Sequence, residues 1–249
     1  TGAVLACATY PSYDLNTYYQ NYDALSKDKS SPLWNRALMS TYEPGSTMKP
    51  AIAAAGLEEG VITETSKFYC SHIYRQFTDT TFKCLGSHGW IDVKNALNQS
   101  CNIYFYETGR LLGINRMNDY CTRFGLGQKT GVEINESSGV LAGIAYREAH
   151  GGTWYPGDTV QAAIGQSDNL FTPIQLCSYV STIANGGTRY RAHFVKSVKS
   201  SDYSETLLSN DGVVLNETGV SQNSIRIVKE SMEMLGARLP AFKSLPVKV

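Results

Sequence analysis

The chain has 249 residues, 42% of them hydrophobic and 18% charged, which is ordinary globular composition with room for one large core. Lys plus Arg and Asp plus Glu both number 22, so the formal charge is zero, which argues against nucleic acid or an anionic membrane as the main partner. No apolar run approaches the length of a membrane helix, and no signal peptide or initiator methionine opens the chain, which is therefore expected to be a piece of something longer.

Residues 2–10 read as a strand, ended by Pro11 and Ser12. Residues 13–40 are polar and rich in Tyr, Asn and Ser, and are expected to run irregularly over the surface. Pro44 and Gly45 make a turn, and the run Ala51-Ile52-Ala53-Ala54-Ala55 predicts a helix from about 46 to 59, ended by Gly60. Pro50 fits its first turn, where a missing N–H is no loss. Residues 61–90 show no clear period. Asp92 caps a short helix that runs into Ser100-Cys101-Asn102. Two further helices, 103–112 and 115–124, are split by Gly113 and ended by Gly125. Residues 125–170 are rich in Gly, Ser and Asn and poor in periodicity. Thr172 caps a helix with Pro173 at its first position, and Gly186-Gly187 stops it. Residues 188–215 alternate as strands, Ser221 caps a last helix to 235, and the tail becomes strand-like at Val247. Helices in the middle and strands at both ends predict an α+β domain: one antiparallel sheet built from distant ends of the chain, flanked by helices, with a helical lobe inserted.

Ser46 and Lys49 stand at i and i+3, on one face of the predicted helix start. A serine hydroxyl is a poor nucleophile until a base takes its proton, and here a lysine amine stands one turn away. The N–H groups of a helix start also point where an oxyanion could form. Taken alone, the pair also reads as an ordinary N-cap serine and a solvated lysine. Ser100-Cys101-Asn102 follows 54 residues later. Its serine can pass a proton between the lysine and a leaving group, and its asparagine amide can hold a substrate backbone. S-x-x-K, S-x-N and K-T-G together define serine acyl-transferases that use a lysine base. Two further stretches spell parts of that set, Ser167-Asp168-Asn169 and Lys129-Thr130-Gly131, but their positions set them outside the catalytic group.

Six cysteines stand at 7, 70, 84, 101, 121 and 177 with no C-x-x-C pair, so most are expected to be small buried hydrophobes. Within the aperiodic stretch 61–90, which needs some staple, Cys70, Cys84 and His88 are expected to bind a structural zinc ion, with His72 or Asp79 as fourth ligand. A Cys70–Cys84 disulfide and two buried thiols are the competing readings.

Several segments together carry a family resemblance. Tyr42-Glu43-Pro44-Gly45-Ser46-Thr47-Met48-Lys49-Pro50 resembles the nucleophile segment of class B penicillin-binding proteins. Ala96 to Phe105, Phe124-Gly125-Leu126-Gly127 with Thr130-Gly131, and Ile164-Gly165-Gln166 followed by Thr172-Pro173-Ile174-Gln175-Leu176 resemble further segments of their transpeptidase domain. The opening Gly2 to Ala6 with Pro11 to Asn16 resembles its first strand. The resemblance covers nearly the whole chain. It implies the penicillin-binding protein/β-lactamase-like fold and a D,D-transpeptidase that cross-links peptidoglycan stem peptides and is acylated by β-lactams, with no cofactor required for catalysis. It implies that Ser46 attacks a D-Ala-D-Ala carbonyl, Lys49 takes its proton, Ser100 relays a proton to the leaving group and Asn102 positions the donor peptide. It also implies a membrane glycosyltransferase partner, no nucleic acid, and a place on the outer face of the bacterial cell membrane. On this resemblance residues 1–249 are expected to be a transpeptidase domain incomplete at its C-terminus, with the third motif just beyond Val249 and the membrane anchor and pedestal domain outside the chain. A β-lactam-hydrolysing or β-lactam-sensing relative, or a non-catalytic wall-binding domain, are the alternatives; no E-x-x-L-N deacylating segment supports the hydrolase.

Overall fold

The helix Lys49–Glu58 is buried along all its sides from Lys49 to Gly56. A helix without a polar face can only be a core helix, and this one is the centre of the molecule. The computed structural model describes residues 1–243. In chain order the helices are α1 (Tyr18–Lys27), α2 (Arg36–Met39), α3 (Lys49–Glu58), α4 (Val93–Asn98), α5 (Asn102–Leu112), α6 (Ile114–Arg123), α7 (Ile144–Ala149), α8 (Pro156–Ala163), α9 (Pro173–Ala184), α10 (Gln222–Arg238) and α11 (Pro240–Lys243). The strands are β1 (Phe68–Cys70), β2 (Ile73–Tyr74), β3 (Phe82–Lys83), β4 (Gly89–Ile91), β5 (Thr188–Tyr190), β6 (Ser197–Lys199), β7 (Thr206–Ser209) and β8 (Val214–Glu217).

Helices α4, α5, α6 and α10 pack around α3. Four of its ten residues are alanine, so these neighbours approach closely. The core continues through Tyr104, Phe105, Phe124, Phe171 and Tyr179, all fully buried. The caps expected at Asp92, Thr172 and Ser221 are present: each side chain accepts the N–H three residues on, from Asn95, Gln175 and Ser224. Helices α4 and α10 pack on α3 and α9 reaches it through Tyr179, so local capping chemistry and core packing agree around the start of α3.

The fold is mixed α and β as expected, but the strands differ. Among the described residues they form four two-stranded antiparallel ladders, β1–β4, β2–β3, β5–β8 and β6–β7, rather than one continuous sheet. Residues 2–10 make only a single bridge, Ala3 to His193. Among the described residues this stretch pairs through Val4 N–H to His193 O at 2.9 Å and His193 N–H to Gly2 O at 3.0 Å, and residues 5–8 stand exposed with no backbone partner to extend a ladder. The stretch 13–40 is not irregular throughout, since it contains α1 and α2; α1 has no buried residue, so no apolar stripe marked it. Residues 125–170 likewise contain α7 and α8, both too short to show a period. The strand expected at Val247 lies outside the described residues. No helix among the described residues is long and apolar enough to cross a membrane.

Candidate active site

Gly45–Met48 form a single 3-10 turn that leads into α3 and carries Ser46. Three contacts hold this turn. The Gly45 N–H donates to Gly165 O at 2.9 Å, and Tyr42 and Phe171 exchange a pair of backbone hydrogen bonds, each 2.9 Å. Gly165 is the left-handed residue that closes α8, with φ +73°. A Cβ there would lie 2.2 Å from Gly45 O, so the two glycine backbones touch and no side chain fits between them. The third contact is the fully buried Tyr179 of α9. Its hydroxyl accepts from the Ala51 N–H and donates to Thr47 O, both at 3.1 Å, and so stands where the first helical hydrogen bond would be.

Ser46 is exposed, whereas Lys49 is only 1% exposed. The Lys49 Nζ donates to Ser100 O at 2.8 Å, Ser100 Oγ at 3.0 Å and Asn102 Oδ1 at 2.7 Å. It also lies 5.7 Å from the centre of the Phe105 ring. The Ser100 Oγ–H donates to Ser46 Oγ at 2.9 Å. Lys49 and Ser46 are therefore joined through Ser100, not directly. Burial lowers the Lys49 pKa from 10.5 to about 8, against a smaller opposing pull from the nearby Cys84 and Cys101 sulfurs. Neutralising the amine at pH 7 then costs roughly 1 kcal/mol instead of roughly 5.

Ser100 has φ +52°, a left-handed conformation that non-glycine residues adopt at a cost of about 1–2 kcal/mol. The cause is the way α4 ends: Ser100 N–H bonds Leu97 O at 3.1 Å and Cys101 N–H bonds Ala96 O at 2.8 Å, the pattern that normally closes on a glycine. That kink turns the serine hydroxyl and carbonyl onto Lys49. Two residues on, Asn102 starts α5, and its Nδ2 donates to Lys83 O at 3.2 Å. One face of the amide thus orients the lysine and the other is tied to β3.

The expected metal ligands Cys70, Cys84 and His88 come together, and the fourth donor beside them is Cys101, not His72 or Asp79. The ligand atoms of all four lie within 4.8 Å of one another. His88 Nδ1 is 3.3 Å from Cys70 Sγ and 3.6 Å from Cys84 Sγ, and the two sulfurs of Cys84 and Cys101 are 4.0 Å apart. Zinc with Zn–S near 2.3 Å and Zn–N near 2.0–2.1 Å places its tetrahedral ligands roughly 3.3–3.8 Å apart, so these four residues could hold it. All six cysteines are free; four are buried, as expected of most of them, and Cys7 and Cys177 are exposed. The hydrogen bond shared by the Cys84 and Cys101 sulfurs holds the Cys84 thiol pKa below its ordinary value and pushes that of Cys101 up. Cys101 carries no ligand signal of its own in the sequence, because it stands as the variable letter of the S-x-N spelling.

Lys129-Thr130-Gly131 does not join the site. The carboxylate of Glu136 accepts from Thr130 N–H, Thr130 Oγ1–H and Gly131 N–H at 2.7–3.0 Å, which makes this stretch a structural turn with Thr130 buried. A cleft of about 590 Å³ opens beside Ser46, Lys49 and Ser100, walled on its far side by apolar residues of α9 and α10, among them Val180, Ile183, Met232 and Leu235.

Residues 1–237 match the family described as the penicillin binding protein transpeptidase domain. The chain belongs to this family. It is 34% identical over 212 residues to peptidoglycan D,D-transpeptidase MrdA of Salmonella typhimurium, covering 80% of this chain and 34% of that protein. It is 30% identical to stage V sporulation protein D of Bacillus subtilis, covering 97% of this chain and 36% of that one. The chain thus spans about a third of the length of these curated relatives. Among solved structures, Pseudomonas aeruginosa PBP2 in complex with WCK 5153 superposes with a TM-score of 0.84 at 31% identity, covering 95% of this chain and 55% of that one. A penicillin-binding protein A from M. tuberculosis, solved as an imipenem acyl-enzyme, superposes with a TM-score of 0.85 at 24% identity and shares the fold.

Proposed function

We propose that this chain is the acyl-transfer domain of a peptidoglycan D,D-transpeptidase that β-lactams inhibit by acylating Ser46. The observation that carries the reading is the continuous hydrogen-bond path from Ser46 Oγ through Ser100 Oγ to a buried Lys49 whose pKa lies near 8. Lys49 draws the Ser46 proton along this path as the oxygen attacks the penultimate D-Ala carbonyl. Ser100 returns a proton to the departing D-Ala amine, and an amine from a second stem peptide then releases the acyl group by the reverse route. Asn102 keeps Lys49 in line and belongs to the donor-peptide wall. Among the described residues no carboxylate hydrogen-bonds Ser46, Lys49 or Ser100, so no general base for water stands in the path and the hydrolase reading loses support. The relative named as a D,D-transpeptidase supports the reaction class. A structural neighbour at 31% identity belongs to a peptidoglycan synthase complex that coordinates polymerisation and crosslinking, which supports a polymerising partner for this domain; that this partner is a membrane glycosyltransferase, and that the domain acts at the outer face of the cell membrane, are parts of the same proposal. The test is mass spectrometry after incubation with a D-Ala-D-Ala stem peptide and, separately, with penicillin. We expect free D-Ala and a slowly released adduct on Ser46; an adduct on Ser167, or rapid hydrolysis of penicillin, would overturn the reading.

The Cys70, Cys84, His88 and Cys101 group is proposed to be a structural zinc site. A bound zinc ion would supply a fixed tetrahedral anchor and no step of the reaction. Cys84 Sγ accepts the Asn102 N–H at 3.3 Å, so the anchor would brace the start of α5. Protein purified without chelator should carry one zinc per chain. Stripping it should lower the thermal midpoint, by about 2–4 °C for each kcal/mol lost in a chain of this size. Elemental analysis finding no metal would end this proposal.

A further inference from the structure

We infer that Arg147 is a positioning residue that clamps the Ser167–Asp168 bend and thereby holds the segment on which the Ser46 turn rests; the inference assumes that Ser46 is the nucleophile. The segment 165–171 touches the nucleophile segment at both its ends. Gly165 O receives the Gly45 N–H, and Phe171 pairs with Tyr42 through two hydrogen bonds of 2.9 Å. Between these points the chain must bend, and it does so at Ser167, whose φ is +64°. That conformation suits glycine and is unfavourable for serine, so something must hold it.

Two devices do. Asn169, 1% exposed, accepts the Ala142 N–H at 3.0 Å and donates to Ala162 O and Gln166 O, both at 3.1 Å. Arg147 supplies the other. Its Nε donates to Asp168 Oδ2 at 2.6 Å, and its Nη2 donates to Ser167 Oγ at 3.1 Å and to Asp158 Oδ1 at 3.3 Å. The guanidinium carbon lies 5.6 Å from the centre of the Trp154 ring. Three acceptors met by two separate nitrogens suit a guanidinium fork and not an ammonium point charge. The arginine is itself fixed: a Cβ on Gly152 would lie 2.5 Å from Arg147 Cδ, so the loop closes directly over its stem.

The clamp reaches the nucleophile because no slack exists between Gly165 and Gly45. With a Cβ excluded at 2.2 Å, a shift of one backbone is passed to the other. Neither Arg147 nor Asp168 hydrogen-bonds Ser46, Lys49 or Ser100, so their effect runs through position alone. This gives the Ser167-Asp168-Asn169 stretch a role: it spells a catalytic motif but serves as the bracket behind the nucleophile turn.

The test uses a chromogenic cephalosporin, with the acylation rate constant and the non-covalent dissociation constant measured separately, beside the thermal midpoint. Misplacement of a reacting group by about 1 Å can cost about 10²-fold, so R147A is expected to slow acylation roughly 10–100-fold with the dissociation constant little changed. R147K should stay as slow, because it lacks the fork. The decisive arm is R147A/S167G. Glycine takes the left-handed bend unaided, so the double variant should recover acylation to within roughly fivefold of the parent, taking that effect of misplacement as the scale, even where its thermal midpoint stays low. A residue that merely stabilised the fold would show no such rescue. Should R147A fail to fold, D168N with and without S167G carries the same expectation. Acylation at the parent rate in R147A or D168N, or no recovery with S167G, would overturn the clamp. Failure of the parent protein to label at Ser46 would instead strike the assignment of the nucleophile.

Discussion

Lys49→Ala is expected to abolish measurable acylation of Ser46 by penicillin, a loss of roughly 10⁴–10⁶-fold, the range seen when one member of a coupled nucleophile–base set is removed. The reason is the path in which Lys49 stands. It is the only basic group hydrogen-bonded to Ser100 among the described residues, and Ser100 is the group bonded to Ser46. Lys49→Arg should not rescue, since a guanidinium stays charged and cannot accept a proton. The parent protein should show the matching pH dependence. Lys49 carries its proton below a pKa of about 8, so the neutral, competent fraction rises about tenfold per pH unit up to that point and then levels off. Acylation should therefore climb from pH 6 to about 8 and be flat above it. A profile already flat at pH 6 would show that Lys49 is not the base.

Ser100→Ala is expected to cost roughly 10²–10⁴-fold in acylation, the usual contribution of one positioned proton-transfer group. It removes the bridge between Ser46 and Lys49 while leaving the Lys49 bonds to the residue-100 carbonyl and to Asn102 in place. Ser100→Gly separates chemistry from backbone. Glycine is more comfortable at φ +52° than serine, so this variant should be at least as stable as the parent and still slow. Stopped-flow acylation and thermal melts of the two variants decide the matter. Near-parental rates in both would mean that Lys49 swings to meet Ser46 directly.

Much of this site was legible in the sequence because its spelling follows from local chemistry. The turn at Pro44-Gly45, the alanine run after Pro50 and the caps at Asp92, Thr172 and Ser221 each act over three or four residues, and each is where it was expected. The family resemblance carried Ser46, Lys49, Ser100 and Asn102, and the structure brings these four side chains together. What was not legible depends on contacts between distant segments. Cys101 joins Cys70, Cys84 and His88 only because α5 passes behind the β1–β4 ladder. The Gly45–Gly165 contact spans 120 residues and has no local signature. Helix α1 escaped for the opposite reason: it buries no residue fully, so its sequence carries little imprint of a buried face. The indirect Ser46–Ser100–Lys49 path could not be read from spacing, because i and i+3 place two side chains on one face without saying which third group lies between them.

Tyr179 gives the nucleophile helix an unusual kind of rigidity. Ordinary helix ends fray within nanoseconds to microseconds, because a terminal hydrogen bond can break and re-form against water with no other change. Here the first link of α3 runs through a phenol that is rooted in another helix and fully buried. Opening that link to solvent requires drawing the ring out of the core against Phe124, 5.8 Å away. The Ala51 amide should therefore exchange its hydrogen only when the core itself opens, at the slow pace of global unfolding rather than of end fraying. The turn that bears Ser46 keeps its shape on the timescale of the whole domain, although the serine itself lies at the surface.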